Sequence, residues 1–303
     1  MNTNVIDFES SVRAGDHIVR GVAAEGQVRA IAVSARSTVQ RAHEIHRTSP
    51  LVTAALGRLM MAGQMMGALF KSPDELITLT VAGDGPVGGL TVTANNRGQV
   101  KGFAHNPHAW LPLNAVGHLD VGGGLGRGTL TVVRDQPGIE PYSSQVELTS
   151  GEIGDDLSYY FAMSDQVPTS LGVGVLVNRD TSVRQAGGFI VQLMPGATDE
   201  VVDALEANVK RVSSITQMLE EGLAPADMLE RVLAGMGFEE LEVMPASFHC
   251  GCNEDRAERA VRALGRAELA DMVEKGEPAE TTCNFCGKRY VFGTDRLEAL
   301  LAD

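Results

Sequence analysis

The sequence predicts an α+β protein: an N-terminal α/β core with antiparallel sheets and a buried helix, then a helical linker and a small C-terminal domain. Three observations support this fold class. Short apolar segments separated by glycine-rich turns fill the chain up to Pro195-Gly196. A helical period of apolar residues follows, and all four cysteines lie near the C-terminus.

The length of the chain indicates more than one structural unit. With 303 residues, of which 44% are hydrophobic, the chain can bury a sizeable core, but it lies at the size where one core stops growing. We therefore place the core domain in residues 1–195, the linker in 196–246 and the C-terminal domain in 247–303.

The first part of the core is predicted to contain two strands and a helix. His17–Ala23 and Val28–Ser34 are apolar segments on either side of a turn at Glu25-Gly26. Ser49-Pro50 supplies an N-cap and a first-turn proline for a helix that we expect to end near Phe70. Because this helix is apolar on nearly every side and carries four methionines, it is expected to be buried.

Two glycine-rich segments resemble nucleotide-binding motifs but lack the context that those motifs need. Gly83–Gly88 matches G-x-G-x-x-G, yet an alternating strand begins at Leu90 where a dinucleotide site requires a helix. Gly122–Gly128 precedes the strand Thr129–Val133 and has no Gly-Lys-Ser/Thr. We interpret both segments as turns between strands.

The remainder of the core and the linker differ in their periodicity. A helix is predicted from Ser150 to Met163, and strands at Val173–Asn178 and Gly188–Met194. Beyond residue 196 the period becomes helical, with a second apolar stripe after Pro225. The first stripe is predicted to be the contact face of the linker and comprises Val201, Leu205, Val209 and Val212.

The cysteines have the spacing of one metal site. Cys250-Gly-Cys252 and Cys283-Asn-Phe-Cys286 are C-x-C and C-x-x-C pairs separated by about thirty residues, and four thiolates in this order can surround zinc as a tetrahedron. We therefore predict Cys250, Cys252, Cys283 and Cys286 as ligands of one zinc ion per chain.

This site has two interpretations from the residues alone. A permanent structural zinc is the commoner use of such a site in a small domain. A redox switch is the alternative, because zinc-binding thiolates are also the oxidisable form of cysteine. The C-x-C pair favours the switch, since residues two apart in an extended chain lie about 6.5 to 7 Å apart, beyond the usual disulfide spacing, and strained disulfides are easily reduced.

The composition of the chain indicates which classes of partner and which cellular compartment to expect. The net charge of −14 disfavours nucleic acid as a partner, and residues 248–303 carry eight basic against eleven acidic side chains. The most apolar uncharged stretch, Leu59–Phe70, is far short of the ~20 residues that span a bilayer, and the start of the chain shows no signal-peptide pattern. We therefore expect a cytoplasmic protein without a membrane partner, and confining the cysteines to one cluster fits that reducing compartment.

No catalytic centre can be assembled from the sequence. His43 and His46 are three residues apart, whereas the H-E-x-x-H metalloprotease helix requires four. His105 and His108, close to Trp110, could contact a ligand. No nucleophile or carboxylate accompanies them at a spacing that is diagnostic of a catalytic site. The chain is therefore not expected to be an enzyme.

The motifs resemble the heat-shock protein 33 family of bacterial redox-regulated holdase chaperones, and the resemblance covers essentially the whole chain. The C-x-C then C-x-x-C order is the signature of that family. Further similar segments are Gly83–Gly88 with Thr93–Gly98, Leu119–Gly122, Glu140–Tyr142 with Val146–Ile153, and Gly172–Asn178.

The resemblance implies a mechanism and its residues. It implies zinc on the four cysteines of the reduced chain, and disulfides Cys250–Cys252 and Cys283–Cys286 after oxidation. Zinc release and unfolding of the C-terminal zinc-binding domain and linker would then expose apolar surface, which captures unfolded or partly folded client proteins without ATP. The oxidised, active form is expected to be a homodimer.

A zinc-ribbon adaptor that binds an RNA or protein partner is the alternative function. Such an adaptor would keep its metal at all times, and oxidation would leave its binding unchanged or abolish it. A redox-regulated holdase would gain activity only when oxidised.

Overall fold

The computed structural model describes residues 9–212 and 214–302. The expectation that the chain has no signal peptide rests partly on its first residues, which lie outside the described ranges. The chain forms two compact units that divide between His249 and Cys250. Within the described ranges, none of the helices is long and apolar enough to cross a membrane.

Thirteen strands are found in the described part of the chain. In order they are β1 (His17–Ala23), β2 (Val28–Ser34), β3 (Leu76–Gly83), β4 (Gly89–Asn95), β5 (Gln99–Ala104), β6 (Gly128–Asp135), β7 (Tyr142–Glu147), β8 (Thr169–Val177), β9 (Val183–Leu193), β10 (Glu239–Pro245), β11 (Ser247–Phe248), β12 (Ala279–Thr282) and β13 (Arg289–Phe292).

Ten helices lie wholly within the described residues. They are α1 (Arg36–His46), α2 (Pro50–Gly67), α3 (Val121–Leu125), α4 (Gly154–Tyr160), α5 (Asp199–Arg211), α6 (Ile215–Glu220), α7 (Pro225–Val232), α8 (Glu254–Arg262), α9 (Arg266–Lys275) and α10 (Thr294–Ala302). A π-helical turn, Phe161–Asp165, continues α4.

The first unit contains two sheets. The first sheet has the order β10-β1-β2-β9-β8 and is antiparallel throughout. The second sheet has the order β11-β5-β4-β3-β6-β7 and is antiparallel except where the two-residue strand β11 pairs with β5. The predicted α+β class with antiparallel sheets is confirmed.

Helix α2 is buried between the two sheets, as its composition predicts. It contacts strands of both sheets, and Met60, Met61 and Met65 are fully buried. The Ser49 hydroxyl accepts a hydrogen bond from the Val52 amide at 3.2 Å and so caps the helix start. The helix ends at Gly67, three residues before the predicted end. The amides of Leu69 and Phe70 instead donate to the carbonyls three residues before them, which is the tighter turn of a 3₁₀ helix.

The first sheet is apolar on both faces. Along β2, Ile31 and Val33 face the core around α2, whereas Val28, Ala30 and Ala32 belong to a second core on the opposite face. Helices α5, α6 and α7, called the linker helices below, cover that second face.

The linker is helical from Asp199 to Val232, apart from short connections, but its last part is a strand. Glu239–Pro245 forms β10, which pairs antiparallel with β1 at the edge of the first sheet. The sequence pattern predicts no strand for these residues. This segment is a strand because it pairs with the free edge of β1. The local sequence does not contain that pairing, so it could not predict the strand. The proposed role of residues 196–246 as a separable linker stays a prediction.

The C-terminal unit contains α8, α9, the hairpin β12–β13 and α10. The helical segment 254–275 is interrupted at Gly265, whose φ of +92° favours glycine, and so forms two helices. The buried apolar side chains of the unit number only eight: Ala257, Val261, Leu269, Ala279, Tyr290, Phe292, Leu297 and Leu300.

Replacing Gly21 with alanine is expected to detach β10 from the first sheet. A Cβ atom at Gly21 would lie 2.3 Å from the Glu239 carbonyl oxygen and 2.4 Å from a ring carbon of Phe238, so the backbone of one strand has to move. Amide hydrogen exchange of residues 239–245 should become faster in Gly21→Ala.

Gly15→Ala is the matched control for that variant. A Cβ atom there meets only the Val12 carbonyl oxygen at 3.9 Å, an ordinary contact. Equal exchange rates in β10 for both variants would show that the close approach at Gly21 does not hold this strand in place.

Candidate metal centre

The two cysteine pairs are positioned by a helix start and by a hairpin turn. Cys250 and Cys252 immediately precede α8, whose N-cap residue Asn253 accepts a hydrogen bond from the Arg256 amide at 2.9 Å. Cys283 and Cys286 lie in the turn between β12 and β13.

Backbone hydrogen bonds hold that turn closed. The Cys283 amide donates to the Lys288 carbonyl at 2.9 Å, and the Gly287 amide donates to the Cys283 carbonyl at 2.8 Å. Gly287 has a φ of +70°, a conformation that glycine adopts without strain. The C-x-x-C segment is therefore held in a tight loop with both side chains on one side.

The four sulfur atoms form one cluster. All of them lie within 4.8 Å of one another, with Cys250 Sγ 3.7 Å from Cys283 Sγ and Cys252 Sγ 3.3 Å from Cys286 Sγ. A tetrahedral ion with metal–sulfur bonds of ~2.3 Å requires sulfur atoms about 3.8 Å apart. The four thiols can therefore hold a metal ion with little rearrangement.

Among the described residues, these cysteines are the one group of three or more His, Cys, Asp or Glu side chains placed to bind a metal. The histidines singled out in the sequence have other contacts. His43 Nδ1 lies 3.3 Å from the Thr48 hydroxyl, and His46 Nε2 lies 3.0 Å from the Gly102 carbonyl oxygen. Both side chains therefore make hydrogen bonds near the end of α1.

The thiols differ in how easily they lose a proton. Burial raises the pKa of Cys250, and burial together with hydrogen bonds among the thiols raises the pKa of Cys286 to about 12. Burial also acts to raise the pKa of Cys252, but hydrogen bonds from the Tyr290 hydroxyl and the neighbouring thiols outweigh it and lower the pKa to about 7.

Tyr290 contacts the cluster directly and was not singled out in the sequence. Its hydroxyl donates to Cys252 Sγ at 3.2 Å, and the ammonium of Lys288 lies 4.8 Å from the centre of its ring. The hydrogen bond to Cys252 raises the pKa of Tyr290 in turn. The alternation in Arg289–Phe292, in which Tyr290 and Phe292 are buried, was a possible signal, but it identifies an inward side chain rather than its partner.

The predicted contact face of the linker belongs to the first unit. Leu205 of α5 is 6% exposed, and Val201, Val209 and Val212 are partly buried against the same second core. An apolar groove of about 250 Å³ runs between this helix and strands β8 and β9, with Leu205, Val209, Val191 and Leu193 among its lining residues. The structure therefore brings the four predicted residues together on the first sheet.

Comparison with known proteins gives a consistent result. The family model described as Hsp33 protein matches residues 16–293. The 33 kDa chaperonin of Agathobacter rectalis is 49% identical over 285 residues, covering 94% of this chain and 99% of that protein, and the 33 kDa chaperonin of Bacillus subtilis is 44% identical over 286 residues, covering 94% and 98%.

A solved structure agrees with the sequence matches. The crystal structure of the 33 kDa chaperonin, a heat shock protein 33 homologue, of Thermotoga maritima superposes with a TM-score of 0.87 at 37% identity, covering 95% of this chain and 98% of that one. Since the family model and the full-length relatives span both units, including the cysteine cluster, the chain belongs to the Hsp33 protein family.

Proposed function

We propose that this protein is a redox-regulated, ATP-independent chaperone that holds unfolding proteins under oxidative stress. The observation that carries the proposal is the gathering of four thiols, from two distant segments, into one metal-type cluster. Family membership supports chaperone activity, and the cluster supports a switch that responds to oxidants.

In the reduced chain, Cys250, Cys252, Cys283 and Cys286 would hold one zinc ion. An all-thiolate set of four suits zinc and makes a closed structural site. The C-terminal unit has a small core, and units of this size commonly depend on a metal for folding. When bound, zinc supplies cross-linking energy rather than catalysis.

Oxidation would remove the ligands. Formation of the disulfides Cys250–Cys252 and Cys283–Cys286 from four thiolates would release four electrons, which two molecules of hydrogen peroxide take up together with four protons from solvent to give four molecules of water. Each disulfide withdraws two thiolates, so the pair of reactions frees the metal and leaves the C-terminal unit with its small core alone.

The client-binding surface would come from the second core. The linker helices cover Val19, Val28 and Phe189 on the first sheet, and their own buried face contains Leu205 and Met228. Burial of one such side chain contributes roughly 1.5 to 3 kcal/mol, so a few contacts hold the linker while leaving it open to local unfolding. Release of the linker would expose both apolar faces to unfolded clients, and in the active form to a second copy of the chain as a homodimer.

Aggregation of an unfolded client, followed by light scattering, tests the proposal. The reduced protein should leave aggregation unchanged, and the peroxide-treated protein should suppress it without ATP. Equal suppression in both states, or loss of binding upon oxidation, would contradict the switch and favour a zinc adaptor.

Cys283→Ser is expected to abolish high-affinity zinc binding and to leave residues after Phe248 poorly folded. Zinc-finger peptides gain on the order of 10 to 16 kcal/mol from such a metal, and removal of one thiolate loses much of that energy. Metal analysis of the purified protein should give one zinc per chain in the wild type and a small fraction of that in the variant. Because protons compete for the thiolates, zinc affinity should also weaken as the pH falls.

Tyr290→Phe is the matched variant, because it keeps all four thiols and removes only the hydrogen bond to Cys252. It should keep one zinc per chain with an affinity about 10-fold weaker, as found for groups that orient metal ligands. Full zinc retention in Cys283→Ser would remove Cys283 from the site.

The Cys283–Cys286 disulfide is expected to be harder to reduce than Cys250–Cys252. A C-x-x-C pair can form a disulfide in a tight loop with less strain than a C-x-C pair, and strained disulfides have higher reduction potentials. Mass spectrometry of peptides across a redox titration reports both bonds in one sample. A more stable Cys250–Cys252 disulfide would contradict the argument from strain.

Leu205→Asp is expected to give chaperone activity in reducing buffer with zinc still bound. The substitution places an unpaired charge in the contact between α5 and the first sheet, which should detach the linker. Client light scattering, zinc analysis and limited proteolysis of residues 198–246 should be measured on the same preparation.

Ala204→Asp is the control, because Ala204 is exposed on the same helix and the variant adds the same charge. It should stay inactive when reduced. An inactive Leu205→Asp protein whose linker is cleaved rapidly would show that linker release is not sufficient for client binding.

A further inference from the structure

A cavity of about 340 Å³ lies in the first unit, where the end of helix α2 meets both sheets. Its lining comes from α2 and the residues that follow it, from β2 and β9 of the first sheet, from β3 and β6 of the second, and from the π-helical turn after α4. Its volume is at the lower end of the range for small-molecule sites, ≈ 300–1,000 Å³. None of the four cysteines lines this cavity, and it shares no lining residue with the groove beneath α5.

One wall of the cavity is apolar. Met66, Ile77 and Phe161 line it and are no more than 2% exposed, and Leu69 and Phe70 extend this wall with partly buried side chains. These side chains offer dispersion contacts and no hydrogen bonds. A ligand that fills this part of the cavity therefore needs a hydrocarbon body.

The polar part of the lining is built around Arg29. Its Nε and Nη2 atoms donate to Gln192 Oε1 at 3.2 and 2.6 Å, and Gln192, which is 1% exposed, donates from Nε2 to the Thr169 hydroxyl at 3.0 Å. The guanidinium is thus fixed in place by a neutral side chain. Within residues 9–212 and 214–302, no carboxylate forms an ion pair with Arg29.

A second arginine lines the same cavity. Arg134 donates from Nη2 to Asp165 Oδ2, and the other oxygen of Asp165 accepts a hydrogen bond from the Tyr160 hydroxyl at 3.2 Å. Arg134 Nε is buried and has no hydrogen-bond partner within the described residues. A buried N–H donor without an acceptor destabilises the folded protein unless a ligand or water supplies one.

The charged side chains in the polar part of the lining do not neutralise one another. Asp165 neutralises Arg134, which leaves the single positive charge of Arg29 facing an apolar cavity in a protein whose net charge is −14. Burial lowers the pKa of Arg29, and the like charge of Arg20 lowers it further, as expected for a cation that lacks a counter-ion. One monoanionic group would compensate this charge, whereas a phosphate dianion would leave an excess negative charge buried.

We propose that this cavity binds a small amphipathic carboxylate of the medium-chain fatty acid class. The carboxylate would accept hydrogen bonds from Arg29 and from Arg134 Nε, in the charge-assisted geometry that guanidinium groups favour. The hydrocarbon chain would lie along Met66, Ile77 and Phe161. Taking roughly 30 Å³ per heavy atom, the volume of one liquid water, 340 Å³ accommodates about ten such atoms, as in octanoate.

Calorimetric titration of the reduced, zinc-loaded full chain with sodium octanoate tests the proposal. Octanoate should bind one per chain, while 1-octanol, which lacks the charge, and acetate, which lacks the chain, should bind at least about tenfold more weakly. Arg29→Gln should weaken octanoate binding about 10- to 100-fold, as expected for loss of a charge-assisted hydrogen bond.

Two further variants locate the site. Arg41→Gln removes an exposed positive charge of α1, remote from the cavity lining, and should leave octanoate affinity unchanged. Val167→Phe, which fills part of the cavity, should weaken octanoate binding without altering its charge, and it provides the test if Arg29→Gln fails to fold. The methyl resonance of Met66, in protein labelled at methionine methyl groups and assigned with Met66→Leu, should shift upon octanoate addition and not upon acetate addition.

Three outcomes would overturn the proposal. They are the absence of octanoate binding, equal binding of octanoate and 1-octanol, and octanoate binding that neither Arg29→Gln nor Val167→Phe weakens. The last two would assign octanoate binding to exposed apolar surface. None of these results bears on zinc binding or on chaperone activity, so they leave the proposed function intact.

Discussion

The first sheet has two apolar faces, and the need to cover both determines the arrangement of the first unit. Strand β2 alternates between the two cores along its length, and β9 contributes Ile190 to one core and Phe189 and Val191 to the other. The face toward α2 is covered by a helix that is buried on nearly all sides. In the part of the chain that the structure describes, the other face is covered mainly by the amphipathic linker helices.

This difference in cover has a thermodynamic consequence. Helix α2 is held between two sheets, so its removal would unfold the whole unit. The linker helices contact the sheet with their apolar side chains, while charged side chains such as Lys210 and Glu206 of α5, whose ion pair is solvent-exposed, remain in water. Such a layer can separate at a smaller cost than the global unfolding free energy, which is the property that a concealed binding surface requires.

The C-terminal unit differs from the first unit in that it buries few apolar side chains. Its eight buried apolar side chains include two alanines and only one phenylalanine, and many of its helical residues are charged and exposed. The four thiols can supply through a metal the cross-links that packing does not. Thiolates are also the atoms that an oxidant attacks, so in the proposed mechanism the group that folds the unit is the group through which oxidation unfolds it.

The sequence alone determined the elements whose signals are local. The strands β1 and β2 occur at the predicted residues, Ser49-Pro50 starts the buried helix, and the two cysteine pairs are close enough for one site because their order and spacing allow it. Turn residues, caps and cysteine spacing act within a few residues, so they can be identified without the fold. The apolar stripe of α5 was visible for the same reason, as a helical period.

Only the tertiary structure decided which surfaces these elements meet. Segment 239–245 becomes a strand because β1 offers a free edge, and Tyr290 reaches Cys252 because the β12–β13 hairpin folds against the start of α8. The cavity at the end of α2 joins side chains that are up to 163 residues apart in the chain, Arg29 and Gln192 among them. A hydrogen bond or an uncompensated charge between such residues depends on distances in space, which periodicity and composition do not contain.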